Sequence, residues 1–150
     1  MQKILITTDL SEESKEAFPL ARELATLSKS TIELLAVVED PAQAALMFAL
    51  DFPVLPEREV IEQLKEKVEQ DLREIAATSF QDLPVQCSVI EGVGAVHDTI
   101  IEFAKERGVD LVIMATHGRT GISRLLIGSV AERVVRECPL PVLTVPSHSA

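Results

Sequence analysis

The strongest constraint on this chain is the alternation of short apolar runs with longer segments of helical periodicity. The runs are rich in Val, Ile and Leu, as buried strands are, and they lie at 4–6, 32–38, 85–90, 111–114 and 142–145. Between them, apolar residues recur at every third or fourth position, as they do on one face of a helix. Strands that alternate with helices predict a parallel sheet with helices on both faces. The length of 150 residues suits a single domain, 1–150.

The first helical segment, from about 11 to 27, carries its own start and break signals. Asp9 is placed to cap its start, and Glu12 three residues later completes a capping-box pattern. Pro19 falls inside the segment, and proline lacks the N–H that a helix interior requires. We therefore expect a kink or a late helix start at this proline.

Four later signals organise the rest of the chain. Residues 41–56 are apolar but poorly patterned, and they predict a mobile flap or short helix over the binding crevice or a partner site. A long amphipathic helix follows from Glu57. A third helix carries Val96, Ile100 and Ala104 at helical spacing, and Gly108 is suited to end it. A last helix is predicted over 129–137, where two prolines then stop it.

Composition excludes several classes of partner. The net charge is −10 without a cluster of Lys or Arg, and aromatic residues make up 3% with no Trp or Tyr, so binding to nucleic acid is not expected. Cys87 and Cys138 lie far apart without metal-ligand spacing, which predicts reduced cysteines and no metal site. The chain shows no signal peptide, and its longest apolar run, 44–50, is too short to cross a bilayer. We expect a cytoplasmic protein without membrane insertion.

Two loops are candidates for a binding site. In an open parallel sheet, ligands bind beyond the carboxyl ends of the strands. Thr7-Thr8-Asp9 follows the first strand, and the loop from Ala115 to Gly128 follows the fourth. Gly128-Ser129 opens a helix, where backbone N–H groups and the helix dipole favour phosphate. Gly118 offers a second close approach of the backbone, and His117 either points at a ligand or packs the loop. The same features also fit an ordinary loop with helix caps.

Several familiar catalytic motifs are absent from the sequence. It contains no GxxxxGK[ST], and Gly92-x-Gly94 lacks the third glycine of a dinucleotide fingerprint. No Ser/His/Asp or Cys/His set is apparent, so no catalytic residue is predicted and fast turnover is not expected.

The loop after the fourth strand resembles the universal stress protein family. Nucleotide-binding members of that family carry G-x-x-G, nine residues, and then G-[S/T]; here Gly118 is followed by nine residues and then Gly128-Ser129. The segments 4–6, 8–9, 110–114, 116–121, 128–132 and 138–145 are also typical, so the resemblance covers essentially the whole chain. Two positions depart from the pattern. Ala115 stands where the motif has its first glycine, and Thr7 stands where many nucleotide-binding members have proline.

The resemblance implies a fold, a ligand and a set of binding residues. The fold would be a Rossmann-like, five-stranded parallel sheet in the order 3-2-1-4-5, similar to the adenine nucleotide alpha-hydrolases. The ligand would be ATP, or AMP or ADP, with or without Mg²⁺. Thr8, Asp9 and the backbone of Val37 would hold adenine, and Met114 and Ala115 would lie near the ribose. The backbone N–H groups of the remaining positions would hold the phosphates: Gly118, Gly128, Ser129 and Val130.

The resemblance also implies an assembly and leaves three functions open. The last strand, Val142-Leu143-Thr144-Val145, would pair with its copy in a homodimer, because an edge strand leaves N–H and C=O groups unpaired. The leading function is an ATP-binding regulatory protein of the stress response, with a ligand-gated or ligand-stabilised dimer and an unidentified protein partner. The alternatives are a slow ATPase or self-phosphorylating protein, and a nucleotide-free interaction module.

Overall fold

The computed structural model describes residues 1–39, 58–117 and 127–147. These residues form a five-stranded sheet in the order β3-β2-β1-β4-β5, in which every neighbouring pair is parallel. The order and direction expected from the resemblance are therefore confirmed. The strands are β1 (Lys3–Thr7), β2 (Thr31–Glu39), β3 (Val85–Gly92), β4 (Leu111–Ala115) and β5 (Val142–Val145).

Helices cover both faces of the sheet, as the alternating pattern predicts. The described helices are α1 (Glu12–Lys15), α2 (Phe18–Ser28), α3 (Arg58–Ser79), α4 (Val96–Glu106) and α5 (Ser129–Glu137). None of these described helices combines the length and the apolar character that a membrane span requires.

Alternate residues of the central strands bury their side chains in two separate cores. On one face, Ile4, Ile6 and Leu34 pack with residues of α2 and α3, including Phe18 and Leu72. On the other face the core contains Leu5, Leu35, Val112, Ile100, Phe103 and Val134, and the last three belong to α4 and α5. Strands buried on both faces explain why the sequence shows continuous apolar runs rather than alternation in β1 and β4.

The first helical segment is broken at the proline. The structure has two helices where the sequence suggested one, and Pro19 lies in the first turn of α2, where its missing N–H costs nothing. The expected late start is confirmed. The expected cap at Asp9 is wrong: Ser11 is the N-cap of α1, and its hydroxyl accepts from the Ser14 N–H at 3.2 Å. A serine hydroxyl two residues closer to the helix reaches the free amide more directly.

The other boundaries lie close to those expected. Arg107 caps α4, and Gly108 follows it with φ of 62°, the left-handed conformation that glycine adopts readily after a helix. The last helix spans the expected residues. The predicted flap at 41–56 and the helix start at Glu57 lie outside the described residues.

Candidate functional site

A cleft of about 510 Å³ lies where β1, β2 and β4 end. Because β1 and β4 are neighbours in the sheet, the described residues that directly follow them, Thr8 and Asp9 after β1 and Thr116 and His117 after β4, line the same cleft. The cleft brings together the expected residues Thr7, Thr8, Asp9, Val37, Met114, Ala115, His117, Gly128, Ser129 and Val130. The remaining expected residue, Gly118, lies outside the described residues.

Hydrogen bonds fix the shape of the loop that follows β1. The Thr8 N–H donates to the Leu35 carbonyl at 2.9 Å, and the Leu10 N–H donates to Thr8 Oγ1 at 3.0 Å. The Ser14 hydroxyl donates to the Ser11 carbonyl, so the Thr8 hydroxyl donates to Ser14 Oγ, 2.8 Å away. The Thr8 hydroxyl therefore accepts one hydrogen bond and donates its single proton, both within the protein. Its side chain therefore shapes the loop and does not offer a free donor to a ligand.

Asp9 stands at the rim of the cleft in a fixed orientation. Its Oδ1 accepts from the Ser11 N–H at 3.0 Å and also from the Ser11 hydroxyl. Leu10 supports this turn with φ of 68°, a left-handed conformation that is uncommon for a branched side chain. The carboxylate is thus held in place before any ligand arrives.

Val37 presents its backbone to the cleft. The Leu35 carbonyl accepts from Thr8, so the backbone groups of Leu35 face β1. Alternate residues of a strand direct their N–H and C=O to the same side, so those of Val37 face that side as well. β1 ends at Thr7, and the chain turns away at Leu10. The N–H and C=O of Val37 therefore point across the end of β1 into the cleft.

The end of β4 forms the floor of the cleft and carries a histidine. Met114 and Ala115 are buried. Nδ1 of His117 lies 3.0 Å from Thr116 Oγ1 and 3.2 Å from Ser147 Oγ. Its Nε2 is buried and has no hydrogen-bond partner among the described residues. One nitrogen thus packs the loop, as one interpretation of the sequence expected, and the other remains available to a ligand.

Gly128 is required for close packing rather than for its backbone conformation. Its φ of −60° and ψ of 152° suit any residue. A Cβ placed here would lie 2.9 Å from the Thr116 carbonyl oxygen, closer than real contacts allow. The Gly128 N–H donates to this same oxygen at 2.7 Å. The expectation that this amide meets a phosphate is therefore not supported, because it is already paired within the protein.

The unpaired amides lie one position further along, in the first turn of α5. The Glu132 N–H donates to the Gly128 carbonyl at 2.9 Å, which is the first bond of the helix. The N–H groups of Ser129, Val130 and Ala131 precede that bond and have no backbone partner within the helix or among the other described residues. Ala131 was not expected at the site, although counting three amides from the cap would have identified it.

Apolar side chains of two helices wall the cleft. Leu64 and Val68 come from α3, and Val96 and Ile100 come from α4. Their helical spacing indicated only a core face, and nothing in the sequence marks them as residues at a cleft. The described lining includes no Lys or Arg, and its carboxylates are Asp9 and Glu39. An anion would therefore rely on amides and the helix dipole in this part of the cleft.

Sequence comparison places the chain among known proteins. Residues 1–146 match the model of the Universal stress protein family. The universal stress protein MJ0531 of Methanocaldococcus jannaschii is 34% identical, over 96% of this chain and 81% of its own length. The universal stress protein MJ0577 of the same organism is 30% identical, over 96% of this chain and 94% of its own.

Solved structures share the fold over nearly the whole chain. The structure of MJ0577 has a TM-score of 0.80 at 28% identity and covers 99% of this chain and 98% of its own. A universal stress protein in complex with cAMP has a TM-score of 0.61 at 22% identity and 98% coverage of both chains. A universal stress protein family protein from Arabidopsis thaliana with AMP bound has a TM-score of 0.62 at 16% identity, covering 99% of this chain and 94% of its own. By its sequence match over residues 1–146, this chain belongs to the universal stress protein family.

Proposed function

We propose that the protein binds an adenine nucleotide, with ATP as the leading candidate and ADP and AMP as alternatives, in the cleft at the ends of β1 and β4. One observation carries this proposal: a single cleft contains the backbone of Val37 at one side and, at another, the amides of Ser129, Val130 and Ala131, which have no backbone partner among the described residues. A flat heterocycle and an anion require these two kinds of environment.

The base would lie between the apolar walls and the Val37 backbone. Adenine presents a donor, its amino group, beside an acceptor, ring N1. The C=O and N–H of Val37 complement that pair, and the walls at Val68 and Val96 offer apolar surface to the ring faces. Asp9 would complete this side, while Met114 and Ala115 would border the ribose. Thr7 and Thr8 would contribute through the shape of their loop.

The phosphates would bind at the first turn of α5. Free amides at a helix start and the positive end of the helix dipole favour an anion. The Ser129 hydroxyl, the unpaired Nε2 of His117 and the backbone of Gly118 would add donors there. Mg²⁺ would enter with the nucleotide, because Asp9 already bonds Ser11 and the described cleft offers only one further carboxylate, Glu39. The binding of cAMP and AMP by other proteins of this fold supports the proposal.

We further propose that the protein is a regulator rather than a fast enzyme. The chain would act as one domain, 1–150, in the cytoplasm, and its nucleotide would gate or stabilise a homodimer that a protein partner recognises. The edge strand β5 supports the dimer, because its residues are only half-buried. The described cleft offers no cation to neutralise charge in phosphoryl transfer, so hydrolysis or self-phosphorylation would be slow.

Two measurements test the proposed ligand. Mass spectrometry of small molecules released from the native protein should detect an adenine nucleotide. Calorimetric titration of nucleotide-free protein with ATP, ADP, AMP and GTP should then give saturable binding of at least one adenine nucleotide and weaker binding of GTP. GTP is the control because guanine reverses the donor and acceptor at the edge that would face Val37. Absence of binding by all three adenine nucleotides would contradict the proposal.

A further inference from the structure

A second group of polar side chains lies outside the cleft, where α4 and α5 pack together. His97 and Asp98 stand in the first turn of α4, and Glu137 is the last residue of α5. Nε2 of His97 lies 3.5 Å from Asp98 Oδ1 and 3.5 Å from Glu137 Oε2. One donor atom from each residue lies within 4.8 Å of the other two. None of the three residues lines the cleft.

We propose that these three side chains bind a divalent transition-metal ion of the Zn²⁺ type. Zinc binds imidazole nitrogen and carboxylate oxygen at about 2.0–2.2 Å, so two donors in tetrahedral geometry stand about 3.4 Å apart. The two distances from His97 already match this spacing. The carboxylates of Asp98 and Glu137 can close the remaining gap by side-chain rotation, because both are exposed to solvent.

The local charge favours a dication at this position. Two carboxylates face one imidazole, and Arg133 pairs with one of them, donating to Oε1 of Glu137 at 3.1 Å. Oε2 of Glu137 remains directed at His97, and no Lys or Arg within the described part of the chain forms an ion pair with Asp98. A bound dication would offset the repulsion between the carboxylates, in a chain whose net charge is −10.

The exposure of the three side chains indicates the kind of site. The His97 side chain is 17% exposed and so is held by the surrounding helices, whereas Asp98 is 60% exposed. An ion here would have three protein ligands, with water in the fourth position. It would connect the start of α4 to the end of α5, segments that are distant in the chain. Because such a site exists only in the folded state, binding would stabilise the fold.

The test is a calorimetric titration of Zn²⁺ into metal-free, full-length protein without nucleotide. The titrated parent protein is a variant with the substitutions Cys87→Ala and Cys138→Ala, so that thiolates do not compete for the ion. We expect one Zn²⁺ per chain and a higher melting temperature. His97→Gln and Glu137→Gln should each weaken Zn²⁺ binding by at least about tenfold, the effect of losing even an outer-shell partner.

Glu132→Gln is the matched control. Glu132 lies on α5 and accepts from Arg136 four residues later, much as Glu137 pairs with Arg133, but the His97 ion pairs among the described residues are with Asp98 and Glu137. This variant should bind Zn²⁺ like the parent protein. The proposal fails if the parent protein binds no Zn²⁺, or if the His97→Gln variant binds it as tightly as the parent. Because nucleotide is absent throughout, neither result bears on the function proposed for the cleft.

Discussion

At the scale of single residues, backbone amides rather than side chains define the proposed phosphate site, and proline can remove one of them. Ser129 is the first residue of α5, where proline is well tolerated, and Gly128 already has the extended conformation that a following proline requires. We expect Ser129→Pro to weaken ATP binding by about tenfold to a hundredfold, since a charge-assisted hydrogen bond is worth roughly 1.5–3 kcal/mol. Calorimetric titration measures this affinity.

Ser129→Ala is the control for that substitution. It removes the hydroxyl and retains the backbone N–H, so it should weaken ATP binding less than Ser129→Pro does. Equal affinities of the two variants would show that the Ser129 amide makes no contact with the nucleotide.

Gly128 leads to a different expectation, because its replacement affects packing before it affects the ligand. Any Cβ at this position meets the Thr116 carbonyl oxygen at 2.9 Å, where the obstacle is backbone rather than a flexible side chain. Gly128→Val should therefore lower the free energy of unfolding by about 1–3 kcal/mol, as overpacking does, and weaken ATP binding as well. Urea denaturation combined with titration measures both. Loss of ATP binding at unchanged stability would contradict this account and favour a direct clash with phosphate.

These two residues illustrate what the sequence could reveal about the site. The helix start at Gly128-Ser129 follows from local signals, and it was predicted correctly. The pairing of the Gly128 N–H with the Thr116 carbonyl depends on the path of the intervening loop, which no local pattern encodes. The sequence therefore counted the Gly128 N–H among the expected donors together with those of Ser129 and Val130, and it did not include Ala131, which lines the cleft.

At the scale of elements, the exposed edge of β5 determines the expected assembly. The Thr116 N–H donates to the Val145 carbonyl and the Val112 N–H to the Pro141 carbonyl, so Pro141 and Val145 face β4. By alternation, Thr144 directs its N–H towards the free edge. Thr144→Pro should therefore remove a donor for a second chain without disturbing the pairing with β4, and should convert a dimer to a monomer.

Light scattering at micromolar concentration measures the mass of the parent protein and of the Thr144→Pro variant. Thr144→Val is the control, because it retains the N–H and should remain dimeric. A monomeric parent protein, or a Thr144→Pro variant that is still dimeric, would contradict the assembly through β5.

The loop before β4 anchors the start of β1, and this contact should depend on pH. Oδ2 of Asp110 accepts from the Gln2 N–H at 2.6 Å and the Lys3 N–H at 3.0 Å. These bonds to the charged form lower the pKa of Asp110 below its ordinary value of 3.8. The stabilisation is thus fully present above pH 3.8 and is lost as the pH falls through the lowered pKa.

Asp110→Asn should remove that stabilisation, so the variant should be less stable than the parent at neutral pH, and the difference should shrink in acid. Thermal melts between neutral pH and pH 3 measure both curves, with Asp82→Asn as a control at another exposed aspartate. A stability difference that stays constant across this range would contradict the assignment.

The sequence predicts element boundaries correctly where neighbouring residues determine them. The prediction was wrong where the conformation of a turn determines the boundary. The apolar runs identify all five strands, and the missing N–H of Pro19 explains the break between α1 and α2. The cap of α1 was misplaced because Asp9 and Ser11 are both capping residues, and only the turn at Leu10 decides between them. The strand order came from family resemblance, since periodicity carries no information about which strands are neighbours.

At the scale of the whole molecule, the cleft joins segments that are far apart in the chain, so its ligand should stabilise the entire fold. Thr8 follows β1, Val37 lies in β2, Met114 in β4 and Ser129 in α5. A ligand that binds only the folded state at about 100 times its Kd adds about 2.7 kcal/mol to the free energy of unfolding. For a chain of this size the melting temperature should rise by about 5–11 °C.

Thermal melts with ATP, ADP and AMP measure this rise, with GTP at equal concentration as the control for base recognition. Ser129→Pro should show a smaller rise at the same ATP concentration, because its affinity is lower while its fold is retained. A rise that is equal for GTP and all adenine nucleotides would mean that the phosphates alone are recognised, and it would contradict the role proposed for Val37.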